Sequence, residues 1–191
     1  MLAKISDIIA KKISRNDLDT DQLEVCAYGI ETALYTLIST AGLLITGYFF
    51  NSFWPIMLLL AIYYTIQTIG GGYHARSHIS CFCTMLIGTI FSIVLMKQRH
   101  CYEAICIVVP LAFCYLLLVP AHLHPNKSYL LPQIRAIQAR SRIISTVCMV
   151  LTITLLGVYP ELGKAAATGI ICSAVSRFVG TKQKYHYLAA E

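Results

Sequence analysis

The chain has 191 residues, of which 57% are hydrophobic and 13% charged, and its mean hydropathy is +0.67. Soluble domains run nearer ~45–50% apolar and ~25% charged, so this composition excludes an ordinary soluble globule, a disordered tail and a nucleic-acid module bound through the net charge of +6. It predicts an all-α, polytopic membrane protein folded as a single domain over 1–191.

In chain order, residues 1–30 place Leu2, Ile5, Ile9 and Ile13 at three- to four-residue spacing, with Lys4, Asp7, Lys11, Lys12 and Arg15 between them. That pattern reads as an amphipathic N-terminal helix on the membrane surface, or as a solvated cap on the chain's own fold. Six apolar runs follow, at about 33–50, 53–69, 79–96, 104–121, 143–159 and 164–180. Each is near the short end of the ~17–25 residues that cross a bilayer as a helix. The sixth is the weakest, because Lys164 and Arg177 interrupt it and small residues fill its centre. Small residues favour close helix packing, which would also suit a homodimer. Cys106, Cys114, Cys148 and Cys172 lie inside apolar runs and read as packing residues, and no cleaved signal peptide is expected.

With the N-terminus inside, segments 1–30, 70–78, 122–142 and 181–191 carry four, one, four and two Lys/Arg, and Arg177 adds one more. The outer connections hold only Lys97, Arg99 and Lys164. Twelve against three predicts a multi-pass protein of the cytoplasmic membrane with both termini cytoplasmic. The connection 70–78 then faces the cytosol.

Unusual chemistry concentrates in IGGGYHARSHISCFC, residues 69–83. Gly70, Gly71 and Gly72 suit a sharp backbone reversal or the close approach of an extended peptide. His74, His78, Cys81 and Cys83 come next, and a thiol protease needs a thiolate within a few ångströms of an imidazole that takes its proton. On one continuous helix His74 and Cys81 would share a face but stand about 10 Å apart along the axis. The chain must therefore bend, with His74 in the glycine-preceded turn and Cys81 opening the next helix, whose dipole favours the thiolate. Spacing alone does not rank the four His/Cys pairs. A zinc site from the same four residues is the chemical rival, but H-x3-H-x2-C-x-C matches no standard structural pattern, so no metal or other cofactor is expected. Glu31, in YGIE at the start of the first span, either marks the water boundary or orients an imidazole. His122, His124 and Lys127, in the stretch PAHLHPNKSYLLP, read as topology and anionic-lipid contacts that also attract an acidic peptide.

Together, GGGYHA with Cys seven residues after its His, YGIE before the first span and HPNK after the fourth resemble the accessory gene regulator B (AgrB-like) family of membrane peptidases in Gram-positive quorum sensing. The resemblance covers almost the whole chain in length, span count and motif order. It implies a cysteine endopeptidase that cleaves an AgrD-like precursor peptide near its acidic C-terminal tail and closes the remainder into a thiolactone or lactone. Carried onto these positions, it makes Cys81 the nucleophile, His74 the general base and then acid, and Glu31 a polar residue assisting the pair. Gly71 and Gly72 match the glycines before Tyr-His-Ala. Family members often carry Arg seven residues before the motif His. Here that position is Gln67, so Arg76 or another cation such as Lys127 would take over substrate contact, or the precursor differs. The competing class is a small transporter or exporter of a peptide or metal that uses the His/Cys cluster as ligands. Paired intramembrane charges or inverted repeats would favour it, and the sequence shows neither.

Overall fold

The computed structural model describes residues 2–14, 19–73, 78–98, 101–121 and 130–188, with backbone alone at 2, 3, 14, 20, 21, 78, 101 and 182–188. Seven helices account for nearly all of them: α1 (Leu2–Ser14), α2 (Thr20–Phe49), α3 (Phe53–Gly70), α4 (His78–Lys97), α5 (Cys101–Leu118), α6 (Leu131–Val158) and α7 (Pro160–Leu188). Five of these, α2, α3, α4, α6 and α7, are long and apolar enough to cross a membrane, and α5 is a shorter apolar helix containing Pro110. An all-helical polytopic membrane protein is what the composition required, since helices satisfy every backbone polar group within hydrocarbon.

The element boundaries differ most from the hydropathy reading at the starts of two helices. The segment 1–30 is not one helix: α1 ends at Ser14, and Thr20 already begins α2, which runs on through the first apolar stretch to Phe49. Glu31 therefore lies well inside a 30-residue helix, not at the start of one. Likewise α6 begins at Leu131, so Arg135, Arg140 and Arg142 sit on its first turns and not in a loop. Pro132 occupies its first turn, and the Gln133 side chain accepts the Leu130 N–H at 3.1 Å, which caps the start. In both cases helical hydrogen bonding continues beyond the apolar stretch, because charged residues are good helix formers once the helix has left the bilayer core.

Contacts group residues 1–43 into one unit and 44–191 into another. In the first, Thr32, Thr36 and Thr40 each donate their hydroxyl to the carbonyl four residues back, at 2.9, 2.8 and 2.7 Å. Each polar group on that side of α2 is thereby satisfied within its own helix.

The second unit is a helical bundle centred on α7. On that helix Ala166, Ala167, Ile170 and Ala174 are buried, and they pack with Ile62 and Ile66 of α3, with Cys148 of α6, and with Ile105, Val109, Ala112 and Leu116 of α5. The four α5 positions recur at intervals of four, three and four, a single helical face. Small residues on α7 receive large aliphatics from α3: a Cβ added at Gly169 would lie 2.9 Å from the Leu59 carbonyl and 3.2 Å from Ile62. This is close packing of the kind that replaces the hydrophobic effect inside a bilayer. Lys164, one of the two charges that weakened the sixth apolar run, pairs with Glu161 at 3.1 Å near the start of α7.

Helix α2 passes to α3 through a tight reversal. Ser52 donates to the Gly47 carbonyl and Asn51 to that of Tyr48, with Asn51 at φ 52°. This is a Schellman stop with asparagine in the left-handed position. Lys97, ending α4, donates to the Phe50 carbonyl at 2.8 Å. The α2–α3 turn and the end of α4 therefore share one end of the bundle, and the end of α3 and the start of α4 share the other.

Candidate active site

Helix α3 stops at Gly70 because three successive glycines follow a run that had no reason to stop, and each glycine answers to a different constraint. Gly70 is buried, and a Cβ there would run into the Arg177 guanidinium of α7 and approach Ser141 Oγ to 3.1 Å. Gly71 takes φ 64° while its N–H still donates to the Gln67 carbonyl at 2.9 Å, a left-handed stop that L side chains resist. At Gly72 a Cβ would collide with Gln67 Oε1 and come within 2.6 Å of Ser176 Oγ. From the other side, a Cβ at Gly180 would meet Gly72 C at 2.8 Å. The glycine run is thus the place where the backbone leaving α3 lies directly on α7.

That crossing is held by hydrogen bonds. The Tyr73 N–H donates to both the backbone carbonyl of Ser176, at 3.0 Å, and its Oγ, at 3.1 Å. Gln67 Nε2 donates to the Ser173 carbonyl at 3.3 Å, and the Tyr63 hydroxyl donates to Ser176 Oγ at 3.4 Å. The next residue of α7 after Ser176, Arg177, is almost wholly buried. Its Nη1 donates to the Leu116 carbonyl at 3.0 Å and its Nη2 to Ser141 Oγ at 3.0 Å. Among the described residues no carboxylate pairs with it, and its Nε has no hydrogen-bond partner. A lone buried cation costs heavily unless dipoles surround it. Carbonyls at the end of α5 and a hydroxyl of α6 supply those dipoles.

Cys81 stands in the first turn of α4, a half-buried free thiol. Cys83, two residues on, is exposed. Farther down α4, Ser92 Oγ lies 4.0 Å from Cys172 Sγ, a second polar contact between α4 and α7.

The sequence-derived candidates distribute as follows. Gly71, Gly72 and Gln67 come together where α3 crosses α7, and Cys81 stands in the first turn of α4. Glu31 is a half-buried residue of α2 in the first unit. His74, Arg76, Lys127, His122 and His124 lie outside the described residues, as does the side chain of His78. Among the cysteines read as packing residues, Cys148 is buried and Cys172 half-buried, but Cys106 and Cys114 are exposed on α5 and face outward. Tyr63, Ser173, Ser176 and Arg177 were not singled out as site residues from sequence. Their signal was the polar string Ser173-Ala-Val-Ser-Arg177 inside an otherwise apolar run, at helical spacing that puts Ser173, Ser176 and Arg177 on one face.

A family model described as accessory gene regulator B matches residues 4–177, from α1 into the Arg177 turn. The chain belongs to that family. Two curated relatives from Clostridium perfringens are similar to it: AgrB-like protein 2 of strain 13, 35% identical, and an AgrB-like protein of strain SM101, 32% identical, each over 94 residues. The match takes in 49% of this chain and 42% of each relative, so it spans less than half the length of the curated relatives. No solved structure matches. Family membership and the apolar helices together make this AgrB-family chain a multi-pass membrane protein.

Proposed function

We propose that the chain is a membrane cysteine endopeptidase that cuts an AgrD-like precursor peptide near its C-terminal tail and cyclises the remaining fragment to a thiolactone or lactone signal. The observation that supports it most is the half-buried, unbridged Cys81 thiol in the first turn of α4. In sequence it follows the glycine-built stop of α3 and the Tyr73-His74 pair after it.

In this reading His74 takes the Cys81 proton and the thiolate attacks the scissile carbonyl. Collapse of the tetrahedral adduct breaks the peptide bond as the imidazolium hands its proton to the leaving amine, and the C-terminal tail departs. The acyl group remains on Cys81 as a thioester. An internal thiol or hydroxyl of the bound fragment, deprotonated by His74, attacks that thioester, closes the ring and returns Cys81 as a thiol. Ring closure must outrun hydrolysis, and a thiol half-buried among helices at the membrane boundary limits access of water. Glu31 is the polar residue that the family resemblance assigns to assist the pair. Gly71, Gly72 and Gln67 shape the backbone beside the nucleophile, and Arg76 and Lys127 draw in the acidic tail. No cofactor takes part.

The same end of the bundle supports an inward-facing site. Arg142, whose Nε donates to the Leu117 carbonyl at 3.2 Å, lies on the α6 turns next to Ser141 and Arg177, at the Cys81 end. Basic residues mark the cytoplasmic side, so the site opens to the cytosol, where a newly made precursor with an amphipathic segment would lie on the inner leaflet.

The test is co-expression with a tagged precursor encoded by a short neighbouring reading frame, one with an amphipathic segment, an internal Cys or Ser and an acidic tail. Cys81→Ala and His74→Ala are expected to leave the precursor uncut while the protein still inserts in membranes. Normal cutting by the Cys81 variant rejects the reading. Equal loss in His74→Ala and His78→Ala would point to shared metal ligation in place of a Cys/His pair.

A further inference from the structure

At one end of the 44–191 bundle the exposed surface changes character. Tyr48 and Phe49 close α2, Phe50 follows in the turn, and Trp54 stands in the first turn of α3. Their exposures are 70%, 76%, 43% and 65%, and Tyr102 in the first turn of α5 and Tyr159 between α6 and α7 are exposed as well. All six lie at the same end. Lys97, ending α4, donates to the Phe50 carbonyl at 2.8 Å, and α5 begins shortly after it. Helix α7 runs parallel to α3, with Gly169 against Leu59 and Ile62 and Arg177 against Gly70, so the α6–α7 turn is level with the start of α3. Along the middle of the bundle the described surface is mainly aliphatic, with Ile87, Ile90 and Val94 exposed on α4 and Val147, Val150 and Ile153 on α6.

Aromatic rings at the end of an aliphatic surface match the layering of a bilayer. Trp and Tyr have an apolar body and a polar tip, which neither hydrocarbon nor water accommodates by itself, and they collect where the two meet. The α2–α3 turn is built to hold such rings in place. Asn51 at φ 52° makes the reversal tight, and the rings of Tyr48 and Phe49, and of Phe53 and Trp54, meet edge to face with centroids 6.2 and 5.4 Å apart. Beside them Lys97 is exposed and adds a cation, the charge that lipid phosphate attracts.

We propose that these six aromatics form a girdle seated in the lipid headgroup layer, on the membrane face opposite the glycine stop, and that this girdle sets the depth of the bundle. The partner is the phosphate and glycerol-ester layer of the bilayer. Helix α3 has 18 residues, which rise about 27 Å, close to the ~30 Å of a hydrocarbon core. With Trp54 held at one boundary, the glycine stop comes to the other. The inference needs only a membrane-spanning bundle, so it stands or falls separately from the endopeptidase reading.

Trp54 is the single tryptophan of the chain, so its fluorescence reads one position. The full chain is reconstituted in vesicles of phosphatidylcholine and phosphatidylglycerol, with part of the lipid brominated either near the headgroup end of the acyl chain or near its terminus. Iodide serves as the aqueous quencher. Bromines near the headgroup should remove most of the Trp54 emission, deep bromines less, and iodide only part of it. Two more proteins carry the reporter elsewhere in a Trp54→Phe background. Tyr159→Trp should give the same order of quenching. Phe91→Trp, at an exposed position of α4 about 9 Å deeper than Lys97, should be quenched most by the deep bromines. Any other order for Trp54 overturns the proposal: deep bromines first would put the ring in hydrocarbon, and iodide without lipid quenching would put it in water. Quenching by neither would mean that a second copy or another protein covers the ring, and overturns it too. Different depths for Trp54 and Tyr159→Trp would show that the aromatics are not one girdle. Should Tyr159→Trp fail to fold, the unsubstituted chain still decides through Trp54.

Discussion

Helices α4 and α7 lie side by side in the same bundle and divide its work unequally. In α7, 61% of the membrane-span window is buried against other helices, whereas in α4 the figure is 22%. Yet α4 carries the candidate nucleophile, and α7 carries none of the residues the family motif nominates. The more buried helix has the lower mean hydropathy, 1.2 against 2.3. In a bilayer, hydropathy measures contact with lipid, and the helix that other helices surround is free to be small and polar. In this protein the candidate sulfur sits on a helix only 22% buried, beside one that is 61% buried.

The contrast can be broken by substitutions that ask each helix for stability and for chemistry separately. The largest effect is expected at Cys81→Ala. Processing should fall by at least about 10³-fold, while thermal unfolding in detergent shifts by less than about 0.5 kcal/mol, since a half-buried thiol at a helix start supports little packing. A substantial loss of stability there would mean that α4 is scaffold as well. Next is Gly70→Ala, whose methyl group collides with the Arg177 guanidinium and must displace it from the Leu116 carbonyl and Ser141. We expect about 2–4 kcal/mol of destabilisation, read from the thermal midpoint, with processing lost in proportion. A stable Gly70→Ala protein would show that Arg177 can be moved cheaply and that the α3–α7 crossing is looser than its contacts imply. Glu31→Gln should lower the single-turnover rate by about 10-fold and leave precursor binding nearly unchanged; a normal rate removes Glu31 from the site. The smallest effect belongs to Ile87→Ala on the exposed side of α4, expected within about 0.5 kcal/mol. A larger loss would show that this face is covered by protein and not by lipid.

Much of this architecture is readable in one dimension. Spans two to four lie within three residues of the apolar runs at either end, because leaving the hydrocarbon and ending the apolar run are nearly the same event there. Helices α2 and α6 outrun their apolar cores, because Glu24 and Glu31, or Arg135 and Arg140, end a hydropathy signal without ending a helix. The bend before Cys81 was legible from three glycines, although their reasons differ: Gly71 is a backbone stop, while Gly70 and Gly72 are clearances for Arg177 and Ser176. The role of α7 was not legible. A serine or arginine facing a neighbouring helix and one marking the water boundary look alike in sequence, and only the carbonyl of Leu116, the hydroxyl of Ser141 and the N–H of Tyr73 distinguish them.

The buried guanidinium of Arg177 also constrains how the protein is made. A span that carries both Lys164 and Arg177 partitions less well into lipid by itself, although an arginine near a span's end costs less than the about 2.5–3.5 kcal/mol of one at mid-span. The acceptors that offset this cost, at the end of α5 and on α6, exist only after those helices are threaded. Biogenesis is therefore ordered: α7 follows α5 and α6 off the ribosome into a cleft those helices have prepared, and the crossing of backbone and side chain is completed at that moment.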